Sequence, residues 1–571
     1  MKNLEIAGIF YEIADILEIQ GVEWKPHAYR RAAKGIETLS IDVEKIYNKD
    51  GLKALKEIPG VGQALAKKIE EFIKTGKVKE YVRLKKGIPS GVEEMIRIPG
   101  MGPKKALLLF QKLKIKSVKD LEKSAKSGKI RKLPRFGEKS EEDILKGIEL
   151  LKSSAGKVLL GRAWPIAQEI ISSLKKLRAV QKISLAGSTR RRKEFVRDLD
   201  ILAVSSNPKK IIETFTKIPT VKTVLAKGPT KSSVRLVEGL NCDLRVVEEK
   251  SFGAALQYFT GSKDHNIRCR QIAIQKGLKL NEYGIFNAKT KKYVCGRTEE
   301  EVYKKLGMQY VEPELRENRG EIEAALKKKL PKLIGYKDIK GDLQMHTKYS
   351  DGVNTIEEMA KAAKTLGYEY IAVTDHSKSE HIAHGMDEKR LSKYLAEIDK
   401  VNRKLKGIRV LKGAEVDILA DGTLDYSDKY LKKLDVVLAA VHSRFKSSEK
   451  EMTKRILKAL ENKYVTILAH PTGRLINSRK PYAINLSKVF DACKANNVLP
   501  EINAFPSRLD LNDVHARDAI EKGLKLTINT DSHAVAHLKY MKFGIATARR
   551  GWARKRDIIN TLPWKKFEKL L

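Results

Sequence analysis

The sequence predicts a multidomain protein of 571 residues that combines helical, α+β and α/β parts. Three observations lead to this prediction. A Pro-Gly-x-Gly turn between helical stretches occurs twice before residue 111. Two strand-like segments near the centre carry three aspartates. From about residue 339, short apolar strands alternate with helical stretches, as in an α/β barrel.

The composition favours a partner that is a polyanion. The formal net charge is +43, which points first to nucleic acid and only then to an anionic membrane. No apolar run approaches the ~18 residues of a spanning helix, and the acidic, amphipathic N-terminus is unlike a secretory signal. The four cysteines form no CxxC pair, which argues against zinc knuckles and disulfides: Cys242, Cys269, Cys295 and Cys493. We therefore expect a cytoplasmic protein with no membrane partner.

Residues 1–80 are predicted to form a compact helical domain. Apolar residues from Ile6 to Leu17 follow helical spacing, and Gly21 ends that helix before a basic second one. The segment IPGVGQALAKKIEEF (58–72) then has the helix-hairpin-helix pattern. Its turn leaves backbone amides free to bind phosphates at a helix N-terminus without reading bases.

The hairpin pattern recurs in residues 81–150. IPGMGPKKALLLF (98–110) is a second copy and LPRFGEKSEEDIL (133–145) a weaker third, with Arg135 in place of the glycine. A single Pro-Gly turn is also common in plain helical scaffolds, but two copies in a chain this basic favour binding to the DNA backbone. Four glycines of the two good copies are the expected DNA-binding positions: Gly60, Gly62, Gly100 and Gly102.

A candidate metal site lies in SLAGSTRRRKEFVRDLDIL (184–202). This segment is predicted to form a strand, a Gly-Ser turn, a basic stretch and a second strand. Alternation along the second strand places Asp198 and Asp200 on one face, and Asp243 follows in the strand-like NCDLRVV. Three carboxylates can hold two divalent cations that act on a 3′-hydroxyl and a triphosphate. The alternative is an edge hairpin with solvated aspartates, which the Gly-Ser turn and the third aspartate disfavour.

The Gly-Ser turn itself predicts a phosphate site. Gly187 and Ser188 open a short helix whose first amides and hydroxyl can bind a phosphate. Three consecutive arginines follow and can neutralise more phosphate charge: Arg190, Arg191 and Arg192.

In the C-terminal part, nearly every predicted strand ends in a side chain that can bind a metal. In an α/β barrel these strand ends face one mouth, so the side chains are expected to converge. An isolated buried histidine is usually a core residue, but this many at strand ends argue against that alternative. Mixed histidine and carboxylate ligands suit Mn²⁺, Zn²⁺ or Fe²⁺ better than Mg²⁺ alone. The candidates are His346, Asp351, Asp375, His376, Glu415, His442, His470, Asn503, Asp531 and His533.

The central segment, together with YFTGSKDHNIRCRQIA (258–273) and GLKLNEYGIF (277–286), resembles family X DNA polymerases, the group of DNA polymerase beta. The resemblance implies fingers at 81–150, a nucleotidyltransferase palm at 151–250 and a thumb at 251–316, with Mg²⁺ or Mn²⁺ on the three aspartates. Ser188 and Arg191 would bind the outgoing phosphates. The implied sugar and base contacts are Tyr258 and Phe259, with Gly261 in the turn, and Asn266 and Arg270 at the nascent base pair. Arg197 departs from the family, which often has glycine before the first aspartate.

The same resemblance implies a 5′-deoxyribose phosphate lyase in the first domain. Lys68 is at the position of the Schiff-base lysine, and its amine would need cationic neighbours such as Lys67 or burial to react. A solvated surface lysine is the alternative. Three further residues match positions that hold the 5′-phosphate: Lys25, Tyr29 and Lys56.

Residues 339–571 resemble the PHP (polymerase and histidinol phosphatase) phosphoesterases, which are distorted (β/α)7 barrels with up to three metals. The matching ligands are His346, Asp351, His376, Glu415, His442, His470, Asp531 and His533. The family's first motif is usually His-x-His, whereas this chain has Gln344, so one metal site should be weakened. Arg474 in HPTGR would hold the scissile phosphate, Mn²⁺ or Zn²⁺ would activate water, and ARRGW (548–552) matches PHP domains fused to polymerases. Residues 317–338 are predicted to be a polar linker.

Together these features predict a monomeric gap-filling DNA polymerase of base excision repair or end joining, with gapped or nicked duplex DNA and dNTPs as partners. The barrel would act as a 3′→5′ exonuclease and also on abasic sites or 3′-phosphates. Two alternatives remain. One is a DNA-end-binding scaffold with a decayed polymerase site, which the three intact aspartates disfavour. The other is a small-molecule phosphatase of the histidinol phosphate kind with a DNA-binding extension, which the basic N-terminal half disfavours.

Overall fold

The computed structural model describes residues 2–571 except residues 38, 40, 41, 87, 88, 97, 135 and 155. The prediction made for Arg135 therefore lies outside the described residues. Among the residues that are described, no helix is both long and apolar enough to cross a bilayer.

The N-terminal part contains two helical units, each with its own apolar core. The first unit is built from α1 (Lys2–Ile19), α2 (Lys25–Glu37), α3 (Val43–Lys56), α4 (Gln63–Thr75) and α5 (Lys79–Lys86). The second is built from α6 (Ser90–Ile96), α7 (Pro103–Leu113), α8 (Val118–Lys126) and α9 (Glu138–Ser154). Helix α1 ends just before Gly21, as its sequence predicts.

The two good hairpin turns have the same backbone geometry. Gly60 and Gly100 are exposed and adopt φ angles of 81° and 83°, a region that residues with a Cβ rarely enter. Gly62 and Gly102 cap the N-termini of α4 and α7, and neither helix has a side-chain cap. The first amides of both helices are thus left to an external acceptor, as binding to phosphates requires.

The palm is a five-stranded sheet within residues 156–250, all of which are described. Its strands run in the order β2-β4-β7-β6-β5, and α10 and α12 cover one face with an apolar core. Its elements are β1 (Val158–Leu159), α10 (Leu160–Lys175), β2 (Val180–Leu185), α11 (Gly187–Arg190), β3 (Phe195–Val196), β4 (Asp198–Ser205), α12 (Pro208–Thr216), β5 (Val221–Lys227), β6 (Lys231–Leu236) and β7 (Asn241–Val246).

The thumb packs helices against a small antiparallel sheet. Its elements are α13 (Phe252–Thr260), α14 (Lys263–Gln275), β8 (Leu278–Asn281), β9 (Gly284–Asn287), β10 (Tyr293–Cys295), α15 (Glu299–Lys305) and α16 (Glu321–Leu326). Helix α16 falls in the segment predicted to be a linker, yet Ile322 and Ala325 are buried in the thumb core. Buried polar contacts add to this packing. Glu321 is fully buried and accepts a hydrogen bond from the backbone amide of Arg319 at 2.6 Å.

The C-terminal part is a parallel barrel, as predicted. Residues 339–571, which the structure describes in full, contain seven parallel strands in chain order, and the bridge Met345–Ser532 brings the first strand to the last. The strands are β11 (Gly341–Asp342), β12 (Tyr370–Val373), β13 (Arg409–Asp417), β14 (Val436–Ala440), β15 (Ile467–Leu468), β16 (Leu499–Asn503) and β17 (Thr527–Asn529). The helices are α17 (Ile356–Thr365), α18 (Glu388–Lys404), α19 (Asp428–Leu431), α20 (Glu449–Leu460), α21 (Leu486–Ala495), α22 (Asp513–Glu521), α23 (Met541–Arg550) and α24 (Trp564–Phe567).

The barrel contacts all the other parts of the chain. Ile476, Leu509 and Phe543 belong to the apolar core of the palm. The second hairpin unit is joined to the barrel by ion pairs such as Lys480–Glu149 at 2.8 Å. From the first unit, Lys34 Nζ lies 3.3 Å from Oδ2 of Asp351 in the barrel mouth.

Two candidate active sites

The three palm aspartates lie at one edge of the sheet. Strands β4 and β7 are parallel neighbours, and their register places Asp200 opposite Asp243 and Asp198 opposite Asn241. Asp200 and Asp243 are partly exposed, whereas Asp198 is exposed. Burial and the charges of Asp198 and Asp243 raise the pKa of Asp200 to about 6, so this edge favours added positive charge. Lys231 Nζ and Arg245 Nη2 lie 3.5 and 3.8 Å from Asp243 Oδ2 and supply part of this positive charge.

Gly187 makes close approach to this edge possible. Helix α11 begins at Gly187, as predicted, and the residue has φ +61°. A Cβ at this position would lie 2.2 Å from Oδ2 of Asp200. Only glycine therefore allows the Gly-Ser turn to lie against the carboxylate, which brings Ser188 next to the candidate metal site.

The three arginines after this turn have different surroundings. Arg190 donates to both carboxylate oxygens of Glu299 in the thumb, at 2.9 and 2.6 Å. Arg192 stacks on the ring of Trp164 at 3.4 Å. Arg191 lines the same cavity as Ser188 and Asp198. Arg192 lines this cavity too, whereas Arg190 does not. Arg191 is the one of the three that the resemblance implies for phosphate binding, and its place in the cavity is compatible with that role.

The residues expected near sugar and base lie where palm meets thumb. Tyr258 and Phe259 end α13 with their rings 5.1 Å apart, and the Thr260 carbonyl before Gly261 accepts a hydrogen bond from Arg191. Asn266 is buried: its amide donates to the Tyr258 carbonyl and accepts from Gln257. In this arrangement Asn266 fixes the aromatic pair, while Arg270 on α14 is partly exposed.

Lys68 contacts a carboxylate. Its Nζ lies 2.8 Å from Glu80 Oε2, which also accepts a hydrogen bond from Tyr29. Burial raises the pKa of Glu80, but the hydrogen bonds from Lys68 and Tyr29 outweigh it and hold the pKa below its usual value. The neighbour of the Lys68 amine is thus an anion rather than the cation that the lyase hypothesis expects, while Lys25 and Lys56 are exposed.

The barrel histidines converge on Glu415. The carboxylate of Glu415 lies 3.2 Å from His346 Nε2, 3.1 Å from His442 Nε2 and 2.8 Å from His470 Nε2. Asp531 approaches the same His346 nitrogen at 3.1 Å. Side chains from the C-terminal ends of five strands, β11, β13, β14, β15 and β17, thus meet at one point, as their position along each strand predicts.

A second group of candidate ligands lies beside the first. His533 Nε2 is 3.3 Å from Asp351 Oδ2, and His376 lies between Asp351 and Glu415 at 3.9 and 3.7 Å. Asp375 is not part of this group: it is buried and accepts hydrogen bonds from Thr347 and Ser350. It therefore shapes the loop after β11 rather than offering a free ligand.

The donor set of the barrel fits divalent metals. Among the described residues, four groups each have ligand atoms within 4.8 Å of one another: His346, Asp351, His376 and His533; His376, Glu415 and His442; His346, Glu415 and Asp531; and Glu380, Asp417 and His442. Nδ1 of His346, Oδ1 of Asp351 and Nδ1 of His376 are buried without a hydrogen-bond partner among the described residues. Buried polar atoms rarely lack partners, so these atoms are suited to bind cations.

Carboxylates around the cluster favour positive charge there. Burial lowers the pKa of His442, but hydrogen bonds to Asp417 (2.5 Å) and Glu415 outweigh it and raise the pKa to about 10. Asp417 was not predicted from the sequence. It orients the His442 ring, the role that carboxylates commonly have behind metal-binding histidines.

Gln344 occupies the position of the missing histidine. It is fully buried, donates to Glu415 Oε2 at 3.0 Å and accepts from Asn503 at 3.3 Å. The amide is therefore held inside the cluster, where its oxygen is a weaker ligand than an imidazole for Zn²⁺ or Mn²⁺.

The structure corrects the role predicted for Arg474. Its guanidinium donates to the Arg508 and Leu509 carbonyls and to Glu194 of the palm, so it lies at the barrel–palm interface. Arg508 lies in the mouth instead, with Nε 3.3 Å from Asp531 Oδ2 and a buried Nη1 that has no partner among the described residues. No sequence pattern indicates Arg508, because it follows β16 in an irregular loop.

A cavity of about 710 Å³ covers the barrel cluster. His376, His442 and Arg508 line it from the barrel, and Arg31 and Lys34 line it from the first helical unit. The arrangement provides a basic cleft that ends at candidate metal ligands, which suits the hydrolysis of a phosphate ester.

Comparisons with known families support both halves. The DNA polymerase beta thumb family matches residues 255–317, and the PHP domain family matches residues 342–504. A helix-hairpin-helix domain matches residues 1–78, and a SAM-like helix-hairpin-helix tandem matches residues 92–149.

A curated relative extends over the whole chain. It is the protein named DNA polymerase/3′-5′ exonuclease PolX of Bacillus subtilis, 38% identical over 100% of this chain and 99% of its own length. Proteins named probable phosphatase, from Thermoanaerobacter and Acetivibrio thermocellus, are 33% and 31% identical over 34% of this chain and 78% of their own length.

The fold and its two sites define a metal-dependent phosphoryl-transfer enzyme with a nucleotidyltransferase palm and a phosphoesterase barrel. The chain belongs to the family X DNA polymerases that carry a C-terminal PHP domain. The resemblance and the fold predicted from the sequence are thereby confirmed.

Proposed function

We propose that this protein fills short gaps in damaged DNA with its palm and trims 3′ ends with its PHP barrel. The observation that carries the proposal is the presence of two separate sets of candidate metal ligands in one chain that also has two helix-hairpin-helix turns. The full-length similarity to a protein named as polymerase and 3′-5′ exonuclease supports it.

In the palm, Asp198, Asp200 and Asp243 would hold Mg²⁺ or Mn²⁺ beside the primer end. Ser188 and Arg191 bind the outgoing phosphates, since both line one cavity next to Asp198. Tyr258 and Phe259 lie against the sugar, and Asn266 holds their backbone through its bond to the Tyr258 carbonyl. The incoming nucleotide is thus positioned by groups on both the palm and the thumb.

In the barrel, Mn²⁺ or Zn²⁺ would be held by the groups around Glu415 and Asp351. Arg508 donates to the scissile phosphate, because its Nε lies 3.3 Å from Asp531 Oδ2 and its Nη1 has no partner among the described residues. When bound, divalent cations supply the same chemistry at both centres: they lower the pKa of the attacking hydroxyl or water and offset phosphate charge. The same barrel chemistry extends to abasic sites and to terminal 3′-phosphates.

The substrate we propose is gapped or nicked duplex DNA with dNTPs, as in base excision repair or end joining. The exposed turns at Gly60 and Gly100 are separate, so they can hold the backbone on both sides of a gap. One chain carries both centres and both turns, so we propose that it acts as a monomer in the cytoplasm.

The test uses one-nucleotide-gapped DNA labelled at the primer 5′ end, with Mn²⁺, with and without dNTPs. Asp200→Ala should abolish extension and leave shortening intact. His442→Ala should do the reverse. Shortening by the wild type without any extension would overturn the polymerase proposal, and hydrolysis of histidinol phosphate would support the small-molecule alternative.

A further inference from the structure

A basic cavity of about 650 Å³ lies between the palm and the PHP barrel. Ser188, Arg191 and Asp198 line it from the palm, and Asp513 and Arg550 line it from the barrel. The proposed phosphate site of the polymerase therefore opens onto a surface of the other domain.

Arg550 is the residue that joins the two sides. It is the last residue of α23 and only 6% exposed. Its Nη1 donates to the backbone carbonyl of Arg191 at 2.8 Å and to Glu317 Oε1 at 3.0 Å. Its Nη2 donates to Asp513 Oδ2 at 2.7 Å, which fixes the plane of the guanidinium.

The side chain of Arg191 is held through the same partners. Its Nε donates to Glu317 Oε1 at 3.1 Å, the oxygen that Arg550 also contacts, and its Nη1 donates to the Thr260 carbonyl at 2.5 Å. Arg550 thus holds both the backbone of Arg191 and the carboxylate that orients its guanidinium. The Nη2 group of Arg191 takes part in neither the hydrogen bond to Glu317 nor the one to the Thr260 carbonyl.

The charges around the cavity favour an anion. Of the described residues that line it, seven are basic and three acidic, and Lys193 and Arg319 add to the excess beside Arg191 and Arg550. Burial and the charge of Arg550 lower the pKa of Lys193, as expected where buried positive charge is not fully compensated. A di- or triphosphate would supply the missing negative charge.

We infer that the PHP domain forms the outer wall of the polymerase's nucleotide-phosphate pocket, with Arg550 as a positioning residue that aims Arg191 at the β- and γ-phosphates. The ligand class is a dNTP and, after reaction, pyrophosphate. The inference rests on the proposed role of Arg191 in nucleotide binding. It assigns a task in DNA synthesis to a residue of the domain that degrades DNA.

The test measures single-nucleotide incorporation into gapped DNA by the full chain at varied dNTP concentration. Arg550→Ala should raise the KM for dNTP about tenfold, the effect of one charge-assisted hydrogen bond, with kcat within about twofold. Inhibition by added pyrophosphate should weaken by a similar factor. Arg550→Lys, which keeps the charge and folds with less disturbance, should give a smaller increase in KM.

Arg549→Ala is the matched control. Arg549 is the neighbouring residue, is similarly buried and donates to Glu314 and the Ile334 carbonyl without contacting Arg191. The KM of Arg549→Ala for dNTP should equal that of the wild type. As a check on folding, 3′→5′ shortening should persist in every variant.

The outcomes separate the two proposals. An unchanged KM in Arg191→Ala would refute the nucleotide site itself. A raised KM in Arg191→Ala together with an unchanged KM in both Arg550 variants would overturn only the present inference. Equal increases in Arg549→Ala and Arg550→Ala would also overturn it, because they would show a general weakening of the interface.

Discussion

Asp200 and Asp243 face each other across two parallel strands, although the sequence separates them by a helix and a hairpin. The pairing of β4 with β7 therefore brings the second and third carboxylates of the palm to one edge. Burial and the charges of Asp198 and Asp243 raise the pKa of Asp200 to about 6, and bound cations would offset this repulsion. The catalytic edge depends on the register of the sheet more than on any local motif.

Replacing Gly187 by alanine should impair nucleotide incorporation. The new Cβ would lie 2.2 Å from Asp200 Oδ2, so either the carboxylate or the Gly-Ser turn must move. Displacing a catalytic group by about 1 Å can cost on the order of 100-fold in rate, and we expect a loss of that size in single-turnover extension. Gly277→Ala is the control, because φ there is also positive but no heavy atom lies within 4 Å. Equal losses in both variants would contradict the steric explanation.

Arg508→Ala should reduce 3′→5′ shortening by about 100-fold, the scale for losing one donor to a phosphate or oxyanion. Arg474→Ala should cost less, because Arg474 supports the carbonyls of Arg508 and Leu509 from outside the mouth. The measurement is the rate of release of 3′ nucleotides from single-stranded DNA, with extension of gapped DNA as the folding control. A larger loss for Arg474 than for Arg508 would restore the role predicted from the sequence.

Gln344→His should increase metal binding by the barrel. The substitution replaces an amide held 3.0 Å from Glu415 by an imidazole, which is a stronger ligand. We expect the affinity of the barrel for Mn²⁺ or Zn²⁺ to rise by at least about tenfold, the scale on which groups around a metal change its affinity. Metal content per chain after dialysis, measured by mass spectrometry, is the readout. His346→Gln should lower the metal content. An unchanged content in Gln344→His would mean that this position does not contribute a ligand.

Glu299→Gln should destabilise the thumb at neutral pH. Glu299 pairs with fully buried Arg316 at 2.5 Å and with Arg190 at 2.6 Å, and removing one member of a buried pair costs about 3–5 kcal/mol in free energy of unfolding. The readout is the midpoint of thermal unfolding, with Glu300→Gln on the exposed face of α15 as the control.

The same variant has a defined pH dependence. Burial raises the pKa of Glu299, but Arg316 and Arg190 outweigh it and bring the pKa to about 2, below its usual 4.5. The unfolded chain therefore takes up the proton first, and the contribution of Glu299 is complete above pH 4.5 and is lost as the pH falls towards 2. The stability difference between wild type and Glu299→Gln should shrink over that range. A constant difference would show that the charge is not responsible.

Features with a local or periodic signal could be predicted from the sequence. The hairpin turns require glycine at fixed offsets, so the sequence alone identifies Gly60 and Gly100. The barrel ligands follow apolar strands directly, and a parallel barrel forces strand ends together. His442 and His470 therefore meet at Glu415 as expected.

Features that depend on distant partners could not be predicted. Arg474 belongs to a motif, but its partners Glu194 and Leu509 are set by the docking of the barrel on the palm. The charged segment around Glu321 is expected to be a linker, yet Ile322 and Ala325 are buried in the thumb core and His265 lies 2.7 Å from the Glu321 carboxylate. Charge alone predicts that Arg190 binds phosphate, whereas folding pairs its guanidinium with Glu299.

The ion pair between Lys34 and Asp351 joins the first helical unit of the chain to the mouth of the C-terminal barrel. A strand end that enters the barrel cleft has to pass Arg31 and Lys34, which belong to the unit proposed to grip DNA. Synthesis and degradation would then compete for the same helical unit. A chain cut back to the barrel would have a wider entrance as well as a weaker hold, so its nuclease activity would not represent that of the intact protein.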